Sequence, residues 1–118
     1  MDDADLPARV RATLEGFEPA RLPVTYRDLA QAVGLRPPHS IHRFALALEA
    51  SMRADAAAGR PLIAALVVSK AGRGVPQEGF FELAAELGRL PAEPAAAVEA
   101  WRHEYDAALR AHVAAGSA

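Results

Sequence analysis

Leu6, Val10, Leu14 and Phe17 recur at three- and four-residue steps, which puts one hydrophobic stripe on a helix and leaves Arg9 and Arg11 outside it. Gly16 and Pro19 end that pattern. A second helix is predicted from Thr25 to Gly34. Thr25 is placed to accept from backbone N–H groups, Asp28 suits the positive end of the helix, Leu29, Ala30 and Val33 form the buried face, and Gly34 supplies a left-handed stop. Pro37 and Pro38 break the chain, and Ser40 then reads as the N-cap of a long third helix. That helix buries Ile41, Phe44, Ala45, Leu48 and Met52, presents His42, Arg43, Glu49 and Arg53 near the other side, and stops at Gly59 and Pro61.

The uninterrupted apolar run Leu62 to Val68 predicts a buried strand, on its length and its β-branched end. Lys70 to Gly79, with glycines at 72, 74 and 79 and Pro76, predicts a turn or wing with Lys70 and Arg73 at its tip. Phe80 to Leu87 reads as a short helix closed by Gly88. Val98, Trp101, Tyr105, Leu109 and Val113 mark a final acidic helix, with fraying expected from Ala114 to Ala118. The order helix, helix, strand, loop predicts an α+β, mainly helical fold. It reads as a winged helix-turn-helix with a short β-wing and an added C-terminal helix, one domain with its core over about 6–81 and a helical extension over about 82–113.

Composition narrows the chemistry. At 118 residues with 52% apolar side chains, one hydrophobic core is expected and two ordinary domains are not. The absence of cysteine excludes disulfides, thiolate metal sites and cysteine nucleophiles. The acidic start Met1-Asp2-Asp3-Ala4-Asp5 is unlike a secretory signal, and no apolar run approaches the roughly 20 residues that span a bilayer; a cytoplasmic protein with no membrane partner is expected. The net charge of −2 conceals an asymmetry: between Arg21 and Arg73 eight basic residues face three acidic ones, a local charge of +5. Such a centre suits an anionic partner, although arginines that merely solvate helix faces would give the same count.

Thr25-Tyr26, Leu29-Ala30 and Gly34, then the long helix and the stretch from Pro61 to Phe80, resemble the DNA-binding domain of O6-alkylguanine-DNA alkyltransferases and alkyltransferase-like proteins over about half of the chain. In that family an arginine of the recognition helix replaces a flipped base, and a Pro-Cys-His-Arg-Val-Val motif supplies the thiolate that accepts the alkyl group. Matching Val67-Val68 to the end of that motif puts Ile63, Ala64, Ala65 and Leu66 where Pro, Cys, His and Arg would stand. Alkyl transfer is therefore excluded. His42 falls at the position of the flipping arginine, with Arg43 beside it. Gly74-Val75-Pro76-Gln77-Glu78-Gly79-Phe80 is also similar to the wing of cysteine-free phage and bacterial modules.

These readings give a non-enzymatic binder of double-stranded DNA, a regulator or a recogniser of altered DNA, with Arg27, Arg36, His39, Ser40, His42, Arg43, Lys70 and Arg73 as contacts. The alternative is a protein-interaction or dimerisation module, a homodimer or a complex with another protein, with Trp101 and Tyr105 as partner surface; their alignment with Val98 and Leu109 equally suits packing in the core. His39-x-x-His42 lacks a third ligand at metal spacing, and no catalytic set or cofactor motif is present, so neither metal nor cofactor is expected.

Overall fold

The computed structural model describes residues 5–36, 40–70 and 74–117. The fold is mainly helical with a small two-stranded parallel sheet. Helix α1 (Leu6–Glu15) is followed by strand β1 (Val24–Thr25), α2 (Tyr26–Val33), α3 (Ile41–Ala58), strand β2 (Val67–Val68), α4 (Glu78–Glu86) and α5 (Pro94–Ser117). Among the described residues no helix is long and apolar enough to cross a membrane.

The caps of α2 follow its sequence. Thr25 accepts a hydrogen bond from the Asp28 N–H at 3.1 Å, and Gly34 takes φ +96° while the Gly34 and Leu35 N–H groups close on the Ala30 carbonyl. The guanidinium of Arg9, on α1, donates to the Val33 carbonyl at 2.6 Å, so α1 holds the end of α2 from outside. Ser40 behaves differently from the expected cap. Its backbone is already helical, and its hydroxyl donates backwards to the Arg36 carbonyl at 2.6 Å. The side chain thus ties the start of α3 to Arg36 and caps no N–H.

Helix α3 buries Phe44, Ala47, Leu48, Ser51, Met52 and Asp55. Ile41 and Ala45, which the apolar spacing places on the buried face, are exposed, Ile41 at 64%. Both stand at the edge of that face, where no other element among the described residues covers them.

The run from Leu62 to Val68 is strand only at Val67 and Val68, and Ile63–Leu66 forms a 3-10 turn. Continuous apolarity carries no period, so burial on every side reads alike in a strand and a turn. Specific hydrogen bonds decide this case. Glu104 accepts from the Leu62 N–H at 2.7 Å, Asp55 accepts from the Ile63 N–H at 3.0 Å, and the Trp101 indole donates to the Ala65 carbonyl at 3.0 Å. Those side chains take the backbone groups that a longer ladder would have used.

β2 lies parallel to β1, in the register Val24↔Val67 and Thr25↔Val68. After β2 an antiparallel bridge joins Ser69 to Val75. The tip of the predicted wing, expected to carry Arg73, lies outside the described residues. α4 begins at Glu78, earlier than the phenylalanines suggest, and α5 continues through Ser117 where fraying was expected; alanine, the strongest helix former, dominates its end. One core cluster joins α1, α2, α3, the 3-10 turn, α4 and α5, with Leu14, Leu29, Leu62 and Leu66 fully buried.

Candidate groove between α2, α3 and α4

A groove of about 490 Å³ opens between α2, the exposed edge of α3 and the start of α4. A helix advances 100° per residue, so Ile41, Ala45 and Glu49 run down one wall while Phe44, Leu48 and Met52 lie deeper on the same side. Leu35 and Phe80 complete the apolar floor, and Arg27, Gln31, Glu49 and Gln77 supply the polar edge. Arg27 is exposed and Glu49 half-exposed; neither makes an ion pair among the described residues.

Tyr26 ties two walls together, because its hydroxyl accepts the Gln77 N–H at 3.0 Å just before α4. Burial pushes its phenol up to about 12, against a smaller opposing effect of the Gln77 hydrogen bond. Tyr26 is therefore neutral throughout the physiological range, and its own O–H remains available to donate.

A second recess of about 400 Å³ lies between α1, the Pro61 turn and α5. Its charges are engaged with one another. Arg11 Nη2 meets Asp55 Oδ1 at 2.8 Å, Arg60 Nε meets the same oxygen at 3.0 Å, and His112 Nε2 lies 2.6 Å from the Phe17 carbonyl. Nearby, Arg89 bridges the Glu104 carboxylate at 2.8 Å and the Arg60 carbonyl at 2.9 Å. These groups lock the turn before Ile63 in place. Among the described residues no group of three or more His, Asp or Glu is arranged to hold a metal ion.

The residues expected to contact DNA are distributed unevenly. Arg27 is exposed on the first turn of α2, Arg36 on the connection to α3, His42 on the first turn of α3, and Lys70 just after the Ser69 bridge. Arg43 is half-buried. Ser40 is only 6% exposed and its hydroxyl proton is committed to Arg36, so it is not presented to a phosphate. His39 and Arg73 lie outside the described residues.

Trp101 is 7% exposed, with its indole bonded to Ala65 and its ring 5.8 Å from that of Tyr105. It packs in the core of its own chain and offers no surface to a partner, because the 3-10 turn places the Ala65 carbonyl within reach of the indole N–H. Tyr105 is half-buried, and desolvation, reinforced by Asp106, raises its phenol pKa.

The groove was not among the sites suggested by the sequence. Its one local signal was the width of the apolar stripe on α3, where Ile41 and Ala45 extend the face beyond what α1 and the 3-10 turn cover. Comparison with protein-family models, with curated proteins and with solved structures gives no match to the chain.

Proposed function

We propose that this chain is a non-enzymatic docking module that receives a protein surface in the groove between α2, α3 and α4. The observation that carries the reading is the groove itself: a concave apolar site with a thin polar rim, bordered by Ile41 at 64% exposure. A binding site typically combines a desolvated apolar centre with a few orienting polar groups. The paired charges around Asp55 and Glu104 support a structural role for those buried polar groups, and among the described residues the groove lining holds one carboxylate, Glu49, with no histidine beside it to form a catalytic set.

The test is site-specific photocrosslinking in cells, with benzoylphenylalanine at Ala45 in the groove and at Ala57, exposed near the end of α3, as the control. A discrete protein adduct from position 45 and none from 57 is expected. The absence of any adduct specific to position 45 would overturn the reading.

A second reading has its own observation. Arg27, Arg36, His42 and Lys70 are exposed on segments that a winged helix-turn-helix, with α3 as recognition helix and the Ser69–Val75 turn as wing, would turn toward a duplex. This is the DNA-binding scaffold that the alkyltransferase-like resemblance implies. Against it, Ile41 and Leu46, at 64% and 50% exposure, occupy positions on α3 where polar readers of bases or phosphates would be needed. Fluorescence anisotropy on duplex, single-stranded and alkylated DNA separates the readings. Salt-dependent duplex binding weakened by a combined Arg27→Ala and Lys70→Ala change favours DNA; no binding at low salt removes it.

A further inference from the structure

Resting on the docking reading, we propose that the occupant of the groove is a second copy of this chain, related by a two-fold axis that places Ile41 of each copy in the groove of the other. The surface carries both halves of such a contact. Ile41, the most exposed of the large apolar side chains among the described residues, stands on the wall of a recess lined by Leu35, Phe44, Leu48 and Phe80. A groove shaped for an unrelated segment needs only the recess. A knob beside its own hole is what an isologous interface requires, because each patch must be complementary to itself.

Charge follows the same rule. Among the described residues the rim carries one cation, Arg27, and one carboxylate, Glu49, and neither side chain has an ion-pair or hydrogen-bond partner there. A partner of uniform charge would satisfy one and repel the other. A two-fold axis instead sets Arg27 of each copy against Glu49 of the other, giving two equivalent pairs from one surface.

Size sets the strength. Sixteen residues line the groove, fewer than the roughly 20–30 per side of a standard interface, whose burial of about 800 Å² per partner compares with 7008 Å² for the whole chain. The dimer is therefore expected to form reversibly, with a dissociation constant on the order of micromolar.

Sedimentation equilibrium over a wide concentration range reads the assembly directly. Wild type is expected to move from 12.5 kDa toward twice that mass. Arg27→Glu or Glu49→Arg alone places like charges together in both pairs and should raise the dissociation constant by about tenfold or more. The combined R27E/E49R chain re-forms both pairs with signs exchanged and should return close to wild type. Ile41→Asp should remain monomeric, and circular dichroism checks that each variant is folded.

A monomeric wild type at every concentration overturns the proposal, as does an open series of species larger than the dimer. So does a double charge variant no tighter than its single parents. Ala45 photoadducts separate this failure from failure of the docking reading. Adducts only to a different protein, with a monomeric chain, leave docking intact and remove the second copy; no adducts and no dimer remove both.

Discussion

Removing the Asp55 carboxylate tests how the chain is held together behind the groove. Asp55 is 1% exposed and accepts from Arg11 at 2.8 Å, from Arg60 at 3.0 Å and from the Ile63 N–H at 3.0 Å. One side chain thus connects α1, α3 and the turn that leads into β2. Deleting one member of a buried ion pair costs about 3–5 kcal/mol, because the partner charge is left in a poorly solvated place. Here the partners are partly wet, Arg11 at 25% and Arg60 at 54% side-chain exposure, and can recover water. The Ile63 N–H and the inner face of Arg11 recover less. Asp55→Ala is therefore expected to destabilise the fold by about 3 kcal/mol, at the low end of that range. For a chain of this length that corresponds to roughly 12 °C in the melting midpoint.

Urea unfolding followed through Trp101, the single tryptophan, measures the loss, and an unchanged urea dependence shows that native and unfolded states remain comparable. Asp55→Asn is a sharper probe. An amide can accept through one atom only, so its NH₂ must face an arginine or the Ile63 N–H, donor against donor. Arg11→Ala should cost more than Arg60→Ala, because Arg11 is the less exposed and also donates to the Ser51 carbonyl at 3.3 Å. A loss under about 1 kcal/mol for Asp55→Ala would place the cluster with ordinary surface ion pairs and refute the reasoning.

Two further outcomes are expected. The Tyr26 phenol is raised to about 12 in the fold against 10.0 for its ordinary value, so the folded state holds this proton more tightly than the unfolded one. Stability from this group is fully present below pH 10 and is lost as pH rises toward 12, by about 2–3 kcal/mol; phenolate absorbance compared with Tyr26→Phe checks it, and a component near pH 10 that disappears in the variant counts against it. Gly34→Ala forces a side chain to φ +96°, with the new Cβ 3.7 Å from the Arg9 guanidinium, so strain and not collision should lower stability, by about 1–2 kcal/mol in urea unfolding.

Helices α1, α2, α3 and α5 were legible because each carries an apolar stripe, and the first three also their own punctuation: Gly16 with Pro19, Thr25 with Gly34, and Gly59 with Pro61. The 3-10 turn at Ile63–Leu66 was not, since its geometry is set by Asp55, Glu104 and Trp101, from 8 to 42 residues away along the chain. Arg9 and Arg11 lie off the apolar stripe of α1, as their spacing says, yet both reach across to other helices; a periodicity locates a face and says nothing of what the long side chains beside it meet. Ser40 illustrates a competition inside one residue type. Serine before a helix can accept from the first turn or donate back to a preceding carbonyl, and here the Arg36 carbonyl lies within its reach. β2 falls at the end of the predicted strand, but its parallel pairing escaped for a different reason: β1 is two residues long and lies more than forty residues away along the chain.

The groove follows from an inequality between stripe and cover. On α3 the apolar positions sweep from the fully packed Leu48 and Met52 to the exposed Ile41 and Ala45, wider than the elements available to bury them. Two fastenings fix the walls at that width. The Arg9 bond to Val33 steadies the end of α2, and Tyr26 anchors the residue before α4 through Gln77. A groove that collapsed on itself would have covered Ile41 without help. Held open, it meets an incoming surface with its contacts already arranged, so little ordering is needed on docking and even a small interface can retain useful affinity. Loosening a wall should then weaken docking without touching a contact residue. Arg9→Ala, remote from the groove lining, is expected to lower the yield of photoadduct from Ala45 while circular dichroism still reports a folded chain. An unchanged yield would mean that the walls need no fastening from α1.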